Sequence, residues 1–183
     1  AKADYNNAVS MKDTTTNTWD KLHVDVTLNK NNSSQKDEAE FLFGHMAEKY
    51  TRDLRNRQNF EKCNDKELAK WMIAALAYSL YYTKMKTEDY SIKENDYLQF
   101  NVNLATGLPY REGSKEEKRQ QFANMFAGTH TVNFKHPIFK NLTVEIAIEQ
   151  VFVFVEAEMA LTLELNKEGG IYQTTPPELL LNR

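Results

Sequence analysis

Apolar and polar residues alternate in several stretches of this chain, and a period of two predicts strands that bury one face. Alternation predicts strands at residues 22–28, 100–105, 129–134 and 142–148. A short apolar stretch at residues 41–43 could pair with the first of these strands as a hairpin. The polar residues of the segment between these two stretches, 29–37, predict a connector.

One apolar run shows no alternation. Residues 151–155 read VFVFV, with no polar residue at any second position. Uninterrupted apolar strands are typical of positions buried on both faces, usually parallel and central in a sheet. The run therefore predicts a central parallel strand.

Two helices are predicted from start signals and helix-forming composition. Asn64 with Glu67 resembles an N-cap, and residues 68–82 are apolar on nearly every side, which predicts burial on more than one face. Ser114 with Glu117 resembles a capping box that opens a second helix, which ends before Gly128. The side chains expected to face the sheet from that helix are Phe122, Met125 and Phe126.

The turn at residues 106–112 carries the strongest local signal. Gly107 and Pro109 follow the strand at 100–105, and proline removes a backbone donor, so we expect the strand to end there. Strand, turn and helix in this order indicate an α/β fold, in which ligands bind beyond the carboxyl ends of strands. A plain connecting loop remains the alternative.

Composition narrows the possible functions. The chain has 183 residues and a formal net charge of -3 with mixed signs, which gives no electrostatic case for direct nucleic-acid binding. A single cysteine excludes an internal disulfide, and no apolar run is long enough for a membrane span, so we expect a cytoplasmic protein. The first residue and an apolar run at 179–181 suggest a fragment of a longer protein.

Acidic residues offer the most plausible chemistry. Glu156 and Glu158 follow the apolar run, where solvent first reaches an α/β sheet, and a carboxylate there can orient a water or accept its proton. The alternative is that either one stabilises the start of a following helix. The four histidines show no metal-site spacing, and serine-hydrolase and phosphate-loop motifs are absent from the sequence.

Several segments together resemble the amino-terminal domain of bacterial actin-like ATPases of the ParM and Alp type. They are NLATGLPYRE, FAGTHTVNF, LTVEIAI, VFVFVEAEMAL and TTPPELL. The resemblance covers most of the chain and implies an α/β, ribonuclease H-like first lobe with a mixed sheet and flanking helices. It implies one lobe over residues 1–183, with a small hairpin-bearing subdomain at 1–60 and a main subdomain at 61–183.

The same resemblance implies roles for individual residues. The family's acidic residue that positions the hydrolytic water near the γ-phosphate falls on Glu156, with Glu158 as the fallback if the register differs by two. Thr106 and Gly107 are the candidate cofactor contacts, and no metal ligand is assigned. The family's two phosphate hairpins fall before Ala1 and after Arg183, so ATP and Mg²⁺ are expected in the full-length protein and not on this fragment alone.

The resemblance also implies partners. The full-length protein is expected to self-associate into nucleotide-dependent filaments that segregate plasmid DNA through an adaptor protein, without binding nucleic acid or membrane directly. The alternative function is a non-catalytic actin-like module that binds a protein partner.

Overall fold

A mixed five-stranded sheet organises the part of the chain that the structure, a computed structural model, describes: residues 18–30, 37–44, 47 and 61–156. The strands are β1 (His23–Lys30), β2 (Asp37–Leu42), β3 (Tyr97–Leu108), β4 (Gly128–Phe134) and β5 (Thr143–Val155). The helices are α1 (Lys66–Thr87), α2 (Tyr110–Gly113) and α3 (Glu116–Phe126), and short 3-10 helices span Thr18–Lys21, Lys62–Asn64 and Pro137–Phe139.

The strands follow the order β2-β1-β4-β5-β3. β1 pairs antiparallel with β2 and β4, β4 pairs antiparallel with β5, and β3 runs parallel to β5. The predicted hairpin is confirmed, although β2 begins at Asp37, within the segment interpreted as a connector. The proposed subdomain boundary near residue 60 lies outside the described residues, and that division stays a prediction.

One face of the sheet carries the core, as alternation predicted. Val24 and Val26 on β1 and Val144 and Ile146 on β5 are each fully buried. Helices α1 and α3 pack against the sheet and cover these side chains. Burying a side chain of this size contributes about 1.5–3 kcal/mol, so this layer accounts for much of the stability of the lobe.

Helix α1 starts one residue later than the cap signal suggested and buries a single face. Asp65, not Asn64, is the N-cap, and its carboxylate accepts the Leu68 N–H at 3.0 Å, because Asn64 belongs to the preceding 3-10 helix. Trp71 and Tyr82 are each 46% exposed, so burial on more than one face was wrong. The buried residues recur mostly every three or four positions: Ala69, Lys70, Ile73, Ala74, Ala77 and Tyr81.

Helix α3 presents the predicted face but not the predicted start. Phe122, Met125 and Phe126 are buried, as expected, and the rings of Phe122 and Phe126 meet edge to face at 5.1 Å. The capping box was wrong: the N-cap is Lys115, which makes no side-chain capping bond, and Ser114 instead closes the short helix α2. The one-turn helix takes up the residues that would otherwise form the cap.

Strand β5 joins the two strands predicted at 142–148 and 151–155. The pairing with β3 shifts by one residue, since Val102 lies opposite Ile148 and Asn103 opposite Gln150, so Glu149 bulges out. After this bulge the outward positions carry phenylalanine: Phe152 is 48% and Phe154 43% exposed. The predicted burial on both faces was therefore wrong, whereas the parallel pairing is confirmed.

The described helices include none that is both long enough and apolar enough to cross a bilayer.

Candidate functional site

The turn after β3 is held by backbone hydrogen bonds. The strand runs through Thr106 and Gly107 and ends at Leu108, so the expectation that Gly107 stops it was wrong. Glycine creates no steric conflict with an extended backbone, and the proline alone ends the strand. The Pro109 carbonyl accepts the N–H groups of Glu112 at 2.9 Å and Gly113 at 2.8 Å, which closes α2.

Gly113 lets this turn sit against the strand ends. A Cβ at Gly113 would lie 3.1 Å from Cγ2 of Val155 and 3.2 Å from the Leu108 carbonyl oxygen. The absence of a side chain therefore allows α2 to pack onto the last residues of both β3 and β5.

The parallel register brings Glu156 to this turn. Thr106 lies opposite Val153, and Leu108 lies opposite Val155. Glu156, the residue after β5, therefore reaches the same sheet edge as the turn. Carboxyl ends of neighbouring parallel strands meet at one edge, the edge where ligands bind in α/β folds. The fallback residue Glu158 lies outside the described residues. The Thr106 side chain is only 8% exposed on the inner face.

Glu156 is paired with a cation from a distant part of the chain. Lys62 donates from Nζ to Oε1 of Glu156, and the two side chains are 40% and 46% exposed. Lys62 belongs to the 3-10 helix that precedes α1. The carboxylate and the ammonium group are thus both open to solvent at the sheet edge.

A buried carboxylate anchors the 3-10 helix to the turn. Glu112 is only 7% exposed, and its Oε2 accepts the backbone N–H of Cys63 at 2.9 Å. Cys63 is fully buried, and burial, followed by the neighbouring Glu112 carboxylate, raises the pKa of its thiol. Cys63 is therefore a neutral packing residue at neutral pH and not a nucleophile.

Two further contacts tie the same segment to α3. Lys118 donates to the Glu61 carboxylate, which lowers the pKa of Glu61 and raises that of Lys118. Gln121 donates to the side-chain oxygen of Asn64. Residues 61–64 are therefore attached to α2 through Glu112 and to α3 through Lys118 and Gln121.

This edge can orient a water molecule, but the described residues supply no metal site. A carboxylate beside an ammonium group can hold a water by accepting a hydrogen bond from it, while the cation fixes the carboxylate. No group of three or more His, Cys, Asp or Glu side chains that could hold a metal ion occurs among the described residues.

Comparison with known proteins identifies the family. The family model described as actin like proteins N terminal domain matches residues 2–158 of the 183-residue chain. The chain belongs to this family. A search of curated proteins with this sequence found no match.

The solved structure of one actin-like protein agrees with this fold. The actin-like lobe superimposes on the crystal structure of actin-like protein Alp7A with a TM-score of 0.55 and 22% identity, over 86% of this chain and 38% of that one. The apo form of Bacillus thuringiensis ParM gives a TM-score of 0.46 and 20% identity, over 89% of this chain and 37% of that one. The lobe thus spans less than two-fifths of either protein, and the match with Alp7A establishes the fold.

Sequence reasoning missed two residues of this edge in the actin-like lobe. Lys62 ends a charged stretch without apolar periodicity, and Cys63 was considered only for disulfides. A polar segment with one cysteine just before an Asp N-cap at Asp65 is the only local sign that the chain turns inward there. Glu112 fell inside the predicted turn, but its burial could not be foreseen.

Proposed function

We propose that this chain is the amino-terminal lobe of an ATP-hydrolysing actin-like protein whose full-length form polymerises into nucleotide-dependent filaments. The supporting observation is that Glu156 follows β5 at the edge where β3 ends, in a member of the actin-like N-terminal domain family. In this proposal the filaments segregate plasmid DNA in the cytoplasm and reach it through an adaptor protein. The net charge of -3 fits indirect contact with DNA.

The proposed role of Glu156 is to orient the attacking water and accept its proton. Its side chain is 46% exposed at the sheet edge, so a water can reach it from solvent. Bound Mg²⁺ would neutralise charge on the phosphates of ATP. Thr106 and Gly107 are weaker candidates for nucleotide contact, because the Thr106 side chain faces the core.

Phosphate release from the full-length protein with ATP and Mg²⁺ tests this role. Glu156→Ala and Glu156→Gln should lower kcat by about 10²- to 10⁴-fold, the range that a general base contributes. Glu149→Gln is the matched control, since Glu149 is an exposed glutamate in the bulge of the same strand and should retain wild-type turnover. An unchanged rate in both Glu156 variants removes this residue from the mechanism.

Sedimentation with ATP, GTP or no nucleotide tests assembly. Wild-type protein should pellet with nucleotide, and Glu156→Gln filaments should persist longer because hydrolysis no longer triggers disassembly. A wild-type protein that neither binds nucleotide nor pellets would contradict the proposal and favour a non-catalytic module that binds a protein partner.

A further inference from the structure

We propose that Lys62 is a positioning residue for Glu156: it holds one carboxylate oxygen so that the other faces the attacking water. This inference rests on the proposed role of Glu156 in hydrolysis. The contact joins residues 94 positions apart, between the 3-10 helix before α1 and the end of β5. Exposed ion pairs add little to the free energy of unfolding, so the main effect of this contact is on the orientation of the carboxylate.

The backbone under Lys62 is fixed more firmly than its exposed side chain suggests. The neighbouring Cys63 is fully buried, and its N–H is bonded to the buried Glu112 at 2.9 Å. On either side, Glu61 and Asn64 are bonded to Lys118 and Gln121 of α3. Lys62 therefore extends from a short segment that is attached to two other elements.

The carboxylate of Glu156 has one oxygen engaged and one available within the described part of the chain. Lys62 contacts Oε1, and none of residues 61–155 donates a hydrogen bond to Oε2. A carboxylate held through one oxygen has fewer orientations, so a water bound at the other oxygen occupies a narrower range of positions. Lys62 acts on the reaction only through Glu156.

Steady-state phosphate release from the full-length protein measures this effect. Lys62→Met, which keeps the stem and removes the charge, should lower kcat by about 10- to 100-fold with KM nearly unchanged, because the water is misplaced and nucleotide binding is not altered. Lys62→Arg should restore most of the turnover, since it keeps a cation within reach of Oε1.

Lys135→Met is the matched control. Lys135 forms an ion pair with Asp25, and its side chain is 46% exposed, similar to that of Lys62. It follows β4 next to the amino end of β5, at the opposite end of that strand from Glu156. This variant should turn over ATP at the wild-type rate.

A zero-length carbodiimide cross-link provides a readout that does not depend on turnover. The reagent joins an ammonium to a carboxylate in direct contact, and mass spectrometry should detect the Lys62–Glu156 link both without nucleotide and with a non-hydrolysable ATP analogue. The link should disappear in Glu156→Gln. A link that forms only without the analogue would show that the pair opens on binding, and would overturn the positioning role.

The outcomes separate the two proposals. If Glu156→Gln loses turnover but Lys62→Met retains it, the positioning role is wrong and the proposed function stands. If Glu156→Gln retains turnover, the proposed role of Glu156 and the positioning role of Lys62 are both wrong, whereas ATP hydrolysis by the full-length protein stands. A Lys62→Met variant that loses turnover through a raised KM alone would indicate a nucleotide contact and would also overturn the inference.

Discussion

The two ends of the parallel β3–β5 pair are closed in different ways. At the amino end, the Asp96 carbonyl accepts the Thr143 N–H at 2.8 Å, and the Lys140 carbonyl accepts the Asn95 N–H at 2.8 Å. These bonds join the loop before β3 to the loop before β5. At the amino end, backbone bonds thus join two adjacent turns, and side-chain bonds from Lys140 and Asn141 to the loop before β3 add to them.

At the carboxyl end, side chains make the connections. Glu112 reaches the backbone of Cys63, which is 49 positions away, and Lys62 reaches Glu156, which is 94 positions away. These contacts bring together α2, a 3-10 helix and the end of β5, with charged groups that are partly open to solvent. Backbone bonds at one end maintain the strand register, whereas side-chain bonds at the other place chemical groups from several elements at one edge.

Among the substitutions that test this comparison, removal of the buried Glu112 side chain should change the free energy of unfolding most. Glu112→Ala leaves the buried N–H of Cys63 without its acceptor, which should lower the free energy of unfolding by about 1–3 kcal/mol. Glu112→Gln keeps an acceptor oxygen and should lose less. Urea denaturation of the protein followed by circular dichroism measures both changes.

Glu149→Ala is the control for Glu112→Ala, since Glu149 is an exposed glutamate in the bulge of β5, outside the turn. Its free energy of unfolding should change by no more than about 0.5 kcal/mol. Equal stability of Glu112→Ala and Glu149→Ala would mean that the carboxyl end does not depend on the buried side-chain bond.

The elements that could be predicted are those set by local patterns. Alternation identified β1 because a sheet covered on one face leaves Val24 and Val26 buried and their neighbours more open. The unbroken apolar run at 151–155 likewise predicted a parallel strand, and β5 is parallel to its neighbour β3. These predictions succeed because the cause of each feature lies within a few residues.

The remaining features depend on contacts between distant parts of the chain. Nothing local marks Glu149 as the bulged residue, although the bulge reverses which side of β5 faces solvent and exposes Phe152. The bond between Glu112 and Cys63 forms only after α2 and the 3-10 helix pack together. The part of the candidate site that α2 and the 3-10 helix supply therefore arises from tertiary packing, which periodicity cannot reveal.

The amino end offers a smaller test of opposite sign. Lys140 has φ 50° and ψ 41°, a left-handed conformation that costs a residue with a side chain roughly 1–2 kcal/mol relative to glycine. Lys140→Gly should therefore stabilise the protein by about 0.5 kcal/mol, after loss of the bond from Nζ to the Ile92 carbonyl and the higher unfolded-state entropy of glycine.

Asn141→Gly is the paired variant for Lys140→Gly. Asn141 also has a positive φ of 59°, but asparagine tolerates this conformation better than lysine, so the gain should be smaller. Thermal unfolding of the two variants gives the comparison. If Lys140→Gly is less stable than wild type, the lysine side chain contributes more to closing the amino end than its backbone conformation costs.

The smallest expected effect is a change in acid sensitivity at the amino end. The Tyr90 hydroxyl and the backbone N–H groups of Lys93 and Tyr97 donate to the Asp96 carboxylate, and the bond from Tyr90 contributes most to lowering its pKa below the ordinary 3.8. A lowered folded-state pKa stabilises the protein above the unfolded pKa, and this stability is lost as the pH falls through the folded value.

The melting temperature of wild type should therefore fall more steeply below pH 3.8 than that of Asp96→Asn, which has no carboxylate to protonate. Tyr90→Phe should give an intermediate slope, because the two backbone donors remain. Identical slopes for wild type and Asp96→Asn would show that this carboxylate does not link the stability of the amino end to pH.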